Sequence, residues 1–165
     1  MRGFTLVEVL VVVVILGIAA VIAIPMLGNT DDLQTTSAAR LIASTLLYAQ
    51  TASIASEQQY QVVFNADGTG YEVQNAAGTV LADPVVPAQP YRVTFPADKR
   101  LRKVRLTGVN FDGTNHVWFD RLGSPYGGAI AASPPPMTVG EVVVRVGDRT
   151  MTVRVEPVTG RVLIE

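Results

Sequence analysis

The chain has 165 residues, enough for one domain or for one domain with an appendage. Its apolar fraction of 48% excludes a disordered chain, and its formal net charge of -1 supplies no global field for nucleic acid or for an acidic surface. The absence of cysteine excludes a disulfide framework, a thiol nucleophile and thiolate metal sites.

The apolar residues are unevenly spread, with a dense block at the N-terminus. From Phe4 to Leu27 the only ionisable side chain is Glu8. A bilayer core needs about 20 mainly apolar residues in a helix, so residues 4–27 read as a transmembrane segment. Arg2 precedes the run and Asp31 and Asp32 follow it, which orients the N-terminus to the cytoplasm and the bulk of the chain outside. An ordinary cleaved signal peptide has a shorter apolar region and a small-residue cleavage site behind it. Here apolar residues continue past both small-residue stretches, Ile18-Ala19-Ala20 and Val21-Ile22-Ala23. Glu8 is the costly residue in this block. It either snorkels to the interface or meets a positive partner within the membrane.

The run Gly3-Phe4-Thr5-Leu6-Val7-Glu8 resembles the signal of type IV prepilins and type II secretion pseudopilins. The resemblance implies a leader of residues 1–3, cut after Gly3 by prepilin peptidase, and N-methylation of the new N-terminal residue Phe4. It implies that Glu8 pairs with the free N-terminal amine of a neighbouring subunit during assembly, and that Pro25 bends the helix. It also implies the pilin fold, an α+β architecture in which a long N-terminal helix packs on an antiparallel β-sheet head. The location implied is the inner membrane, single-pass, with a periplasmic head and a filament after assembly.

After the weak breakers Gly28 and Asn29, residues 28–59 read as an amphipathic helix of the head. Leu33, Ala38, Leu41, Ile42, Leu46, Ala49 and Ala52 recur at steps of three and four, with Gln34, Thr35, Arg40, Ser44, Gln50 and Ser53 mostly between them. Asp31-Asp32 reads as a solvated helix start rather than a calcium site. From residue 60 the period changes to two, so residues 60–165 read as a β-rich head. Strands are expected at Tyr60 to Phe64, around Tyr71 and Val73, at Thr79 to Leu81, Tyr91 to Phe95, Val104 to Leu106 and His116 to Phe119. A hairpin is expected from Glu141 to Val155 across Gly147-Asp148, with a last strand at Arg161 to Ile164. The proline-rich stretches, residues 82–90 and 133–136, read as loops.

Three stretches resemble one subgroup, the GspH/FimT minor pseudopilins. They are residues 38–52, where Gln50 stands at a position often arginine; Val117 to Pro125, similar to an F-x-x-x-G-x-P segment; and Val155 to Val162, similar to a P-x-T-G-R-V ending. The resemblance implies a minor subunit of a type II secretion pseudopilus or, as the alternative, a type IV pilus minor pilin that binds DNA for uptake. Its partners would be other pseudopilins or pilins, prepilin peptidase, the inner membrane and secreted protein cargo.

No enzyme is expected. His116 is the sole histidine and sits in a strand-like segment without an evident oriented partner. No cofactor or metal is expected, since one histidine without cysteine gives no ligand set. One branch of the subgroup binds DNA, and Arg102, Lys103 and Arg105 are the residues in the basic middle stretch that could contact it. In a period-two strand Lys103 and Arg105 share a face and Arg102 does not.

Overall fold

In a computed structural model, the structure describes residues 5–26, 30–128 and 135–165; for residues 21–26 it describes the backbone alone. Helix α1 spans Leu6–Met26 and helix α2 spans Thr30–Ser56. Asp31 and Asp32 lie in the first turn of α2, where the helix dipole favours acid. Glu57, at φ 54, takes the left-handed conformation that ends it.

Among the described residues nine strands follow: β1 Tyr60–Phe64, β2 Gly70–Asn75, β3 Arg92–Thr94, β4 Arg105–Phe111, β5 His116–Phe119, β6 Pro125–Gly127, β7 Gly140–Val146, β8 Arg149–Val155 and β9 Val162–Ile164. Packed on the long helix as the α+β expectation has it, the antiparallel strands divide into two sheets, in orders β3-β2-β1-β5-β6 and β4-β7-β8-β9. The split follows from residues 95–104, which carry the chain from the edge strand β3 into β4 through a 3₁₀ turn at Phe95–Ala97. Pro96 supplies the fixed φ for that turn and shortens the strand expected at Tyr91 to Phe95. Thr79 to Leu81 is not a strand; Val80 makes one isolated bridge to Gln74. The strand expected at Val104 to Leu106 begins at Arg105 and runs on to Phe111, with a register shift between Leu106 and Gly108. The Gly108 position suits a bulge, since an added Cβ would meet Val143 Cγ2 at 3.1 Å. β6 joins the first sheet as an edge strand, where its proline costs no ladder bond.

Helix α2 packs on both sheets, touching β1 and β5 of the first and β7, β8 and β9 of the second. Its buried face is Ala38, Ala39, Ile42, Leu46 and Ala49, joined by Thr35, Thr45 and Ser53. Small residues bring the sheets close to the helix, while Ile42 and Leu46 each contribute about 1.5–3 kcal/mol by burial. Thr35 and Ser53, expected outward, face in because their hydroxyls donate to Asp31 O and Ala49 O one turn back. Leu33, expected inward, is 69% exposed. The Thr45 hydroxyl lies 3.0 Å from Tyr71 Oη and 3.1 Å from Tyr91 Oη. This places a satisfied polar node between helix and first sheet. Burial pushes the Tyr71 phenol well above its ordinary range, so it stays protonated and able to donate.

The two sheets meet through aromatic rings. Phe64 of β1 stacks on Phe111 of β4 at 5.7 Å between centroids. Tyr71 lies against Phe64 at 5.6 Å and Phe95 at 6.0 Å. The valines of β7 and β8, Val142, Val144, Val146, Val153 and Val155, fill the other side of this core. Trp118 is buried outside that cluster, stacked on Tyr126 of β6 at 4.6 Å.

Two turn glycines separate strain from space. Gly68 and Gly78 both have left-handed φ, 67 and 78. A Cβ at Gly68 would stand 2.3 Å from the Leu106 carbonyl oxygen, whereas at Gly78 it would meet only Gln74 Oε1 at 3.9 Å. Gly78→Ala should therefore cost about 1 kcal/mol, the strain alone, and Gly68→Ala about 3 kcal/mol, with strain and backbone clash together. Thermal or urea unfolding of the two variants checks this. Equal losses would contradict the clash.

Candidate functional site

Thr5 caps α1. The Glu8 N–H donates to Thr5 O at 3.1 Å and to Thr5 Oγ1 at 3.3 Å, and the Val9 N–H donates to Thr5 O at 3.3 Å. Thr5-Leu6-Val7-Glu8 thus has capping-box spacing, and Glu8 falls in the first turn, where an acid is favoured. Glu8 is exposed. Gly3 and Phe4 lie outside the described residues. Pro25 is the penultimate residue of α1, and residues 27–29, through which the expected bend would continue, lie outside the described residues.

Every described side chain from Leu6 to Ala20 is exposed, most of them valine, leucine or isoleucine. Counted over residues with described side chains, no helix is long and apolar enough to cross a membrane. With the backbone of residues 21–26 included, α1 has 21 residues and a length of about 30 Å. The head supplies no cover for this apolar surface among the described residues.

The three stretches that carried the subgroup resemblance come together at one side chain. Gln50 Nε2 donates to Gly123 O at 2.9 Å and to Thr159 O at 3.0 Å. It thereby ties α2 to the turn before β6 and to the turn before β9. Two glycines make room for the clasp. A Cβ at Gly123 would stand 2.7 Å from Ile54 Cδ1, and one at Gly160 would stand within 3.0 Å of Gln50 Nε2 and of Gly123 O. Each is also in the left-handed region, at φ 81 and 67. Asp120 shapes the first turn by accepting from the N–H groups of Leu122 and Ser124. Glu156 and Arg161 close the second with a two-point ion pair, Nε–Oε2 3.0 Å and Nη2–Oε1 2.8 Å. The Arg161 hydrogen bond holds the Glu156 carboxyl below its ordinary range.

A second clasp orders the segment before β7. Asp112, at φ 51, accepts from Thr138 Oγ1 at 2.6 Å and from the N–H groups of Thr138 and Val139 at 3.0 and 2.9 Å. Partial burial opposes its charge, but these bonds outweigh it and hold the carboxyl below its ordinary range. The expected exposed proline loop lies partly outside the described residues, which resume at Pro135.

The basic residues take different roles. Lys103 Nζ pairs with Asp31 Oδ1 at 3.0 Å. Arg105 Nη1 donates to Val104 O at 2.7 Å and to Arg102 O at 3.3 Å. Arg102 and Lys103 precede β4 rather than lying on it, so the face-sharing expected for Lys103 and Arg105 does not apply. His116 Nε2 lies 2.7 Å from Gly128 O, a backbone contact between β5 and the residue after β6, and among the described residues no carboxylate is hydrogen-bonded to its ring. Among the described residues, no group of three His, Asp or Glu side chains is placed to hold a metal ion.

The Gln50 clasp has a direct test. Gln50→Ala leaves two carbonyls without their donor and should cost about 2 kcal/mol. Gln50→Arg, whose planar guanidinium can reach two acceptors, should stay within about 1 kcal/mol of the parent. Unfolding midpoints at equal slope compare the two, and an Ala variant as stable as the parent would contradict the clasp.

The family model of the prokaryotic N-terminal methylation motif matches residues 1–24. A crystal structure of the type IV minor pilin FimU of Pseudomonas aeruginosa PAO1 is similar over 81% of this chain and 90% of that chain, at 16% identity and a TM-score of 0.52. A second crystal form of FimU covers 79% of this chain and 91% of that one, at 16% identity and a TM-score of 0.49. No curated protein matches the chain. The chain thus carries the prokaryotic N-terminal methylation motif and, in its helix packed on antiparallel sheets, shares the fold of a type IV minor pilin.

Proposed function

We propose that the chain is a minor pseudopilin: a structural subunit, not a catalyst, held in the inner membrane by α1 and drawn from it into a short periplasmic filament of a type II secretion system. The observation that carries the proposal is the exposed apolar surface of α1 in front of a head whose own core is complete. A helix that is apolar on all sides needs lipid or other helices around it. The filament reading supplies both in turn, lipid before assembly and neighbouring α1 helices after it.

In this reading prepilin peptidase cuts between Gly3 and Phe4, and Phe4 becomes the methylated N-terminus. Glu8 then stands five residues into the mature chain. Its carboxylate neutralises the amine of a neighbour, because either charge alone in hydrocarbon costs several kcal/mol. Glu8 lies in the first turn of α1, an acid near the start of the apolar segment, which supports this role. The secretion assignment rests on the Gln50 region and the two turns it joins, which are the stretches similar to GspH/FimT subunits. The head surfaces would contact other pseudopilins or cargo.

Intact mass and N-terminal sequencing of chain co-expressed with its peptidase test the processing. The expected product starts at methylated Phe4, and any other start contradicts it. Glu8→Ala should leave cleavage and membrane retention unchanged and lower recovery in filaments about tenfold or more. Normal incorporation of Glu8→Ala would remove its assembly role. Recovery with pilus subunits rather than secretion pseudopilins would reassign the system while leaving the anchor intact.

A further inference from the structure

The start of α2 and the ends of three strands form one end of the head. Lys103 reaches Asp31 at 3.0 Å, and Arg149, at the start of β8, reaches Asp32 through Nε at 3.0 Å. The Gly147 turn of the β7–β8 hairpin also lies against Asp31, since a Cβ there would stand 3.1 Å from Asp31 Oδ2. Only residues 27–29 separate Thr30 from Met26, the end of α1. Four Cα steps span at most about 14 Å, so this end of the head cannot be far from the end of the apolar helix, whatever the angle between them.

Cations crowd this end. Arg105 of β4 stands directly opposite Arg145 of β7. Like charges opposite each other on one face of a sheet are destabilising. Neither has a carboxylate partner among the described residues: Arg105 donates to the carbonyls of Arg102 and Val104, and Arg145 Nε donates to Gly147 O at 2.8 Å. Both side chains are exposed, as is Arg102 beside them. None of the acids at this end forms an ion pair with Arg105 or Arg145 among the described residues. Asp31 and Asp32 are taken by Lys103 and Arg149, and Asp148 sits at the hairpin tip. Asp67 accepts from the Thr69 hydroxyl at 2.7 Å and feels the Arg105 charge only as a minor influence on its carboxyl, without an ion pair.

We propose that the Arg105–Arg145 pair, with Arg102, is a contact for the phosphates of anionic phospholipids at the outer face of the membrane. Two guanidiniums fixed at their inner edges by backbone carbonyls keep outer N–H groups free for phosphate oxygens. An anion between them removes the like-charge cost. Basic residues near a membrane surface are drawn to anionic lipid. A lipid occupant is favoured over duplex DNA by position, since the pair sits at the end of the head tethered to α1. The contact would hold the head upright on the membrane before assembly, and leaving the bilayer would release it. The inference rests on the membrane-anchored reading above.

The absence of cysteine allows one fluorophore to be placed at Thr107→Cys, an exposed β4 position two residues from Arg105. Full-length chain would be reconstituted in vesicles of phosphatidylcholine alone and with about one third phosphatidylglycerol, each carrying a trace of headgroup acceptor dye. Energy transfer should rise about twofold with phosphatidylglycerol, fall back with added salt, and fall back in Arg105→Gln/Arg145→Gln. Equal transfer in the two vesicle types, with the chain still floating with both, overturns the lipid contact and leaves the anchor standing. Failure to float with either overturns both. Transfer that is insensitive to lipid, together with salt-dependent binding of added duplex DNA lost in the double variant, overturns the lipid assignment in favour of nucleic acid.

Discussion

An apolar helix that its own chain leaves uncovered is the constraint on which the rest of this structure depends. Every described side chain of α1 from Leu6 to Ala20 meets solvent, and none is drawn into the core of the head. At about 25 cal/mol per Å² of apolar surface, such a helix is far from its most favourable surroundings in water. The head, by contrast, is self-sufficient. Its α2 stripe, two sheets and bridging Phe64–Phe111 stack close a core without help from α1. The chain therefore divides into a finished domain and a helix completed by something else. A methylation motif at the start of that helix and the pilin fold behind it fit that division.

The head is built so that α2 serves both sheets at once. Alanines at 38, 39 and 49 let β7, β8 and β1 approach, and hydroxyls at Thr35, Thr45 and Ser53 are buried only because each has an acceptor one turn back. At one end of α2, Gln50 fastens the turns at Gly123 and Thr159. At the other end, Asp31 and Asp32 hold Lys103 and Arg149. These exposed ion pairs are worth little in stability. Their use is positional, since they fix where the β4 start and the β7–β8 hairpin sit relative to the chain entering from α1.

Much of this was legible locally and little of it globally. The N-terminal motif, matched by a family model over residues 1–24, and the period-two strands β1, β2, β5, β7 and β8 are short-range patterns, and those strands lie where the pattern puts them. β6 was missed because Pro125-Tyr126-Gly127 has loop composition, and only its partner β5 makes it a strand. β4 was cut short because Gly108 reads as a breaker until the bulge opposite Val143 is seen. The division into two sheets is a matter of long-range pairing that no local period encodes. At the candidate sites, Gln50 stood out only as a departure from an expected arginine; its role needed the two carbonyls that meet it in space. Arg102, Lys103 and Arg105 were grouped by sequence, but the structure separates them and adds Arg145, which faces Arg105 from 40 residues away.

The central claim is that α1 is surrounded by hydrocarbon or by other helices on all sides. A scan of single cysteines along Leu6 to Ala20, each tested with a water-soluble maleimide in intact membranes, addresses it most directly. The cysteine-free background makes each position a clean reading. Uniform protection is predicted along the segment, with Thr107→Cys and Leu122→Cys on the exposed head reacting readily. A repeating pattern of reactivity with the helical period of about 3.6 residues would contradict the account, since it would give α1 a wet face and make it a surface helix.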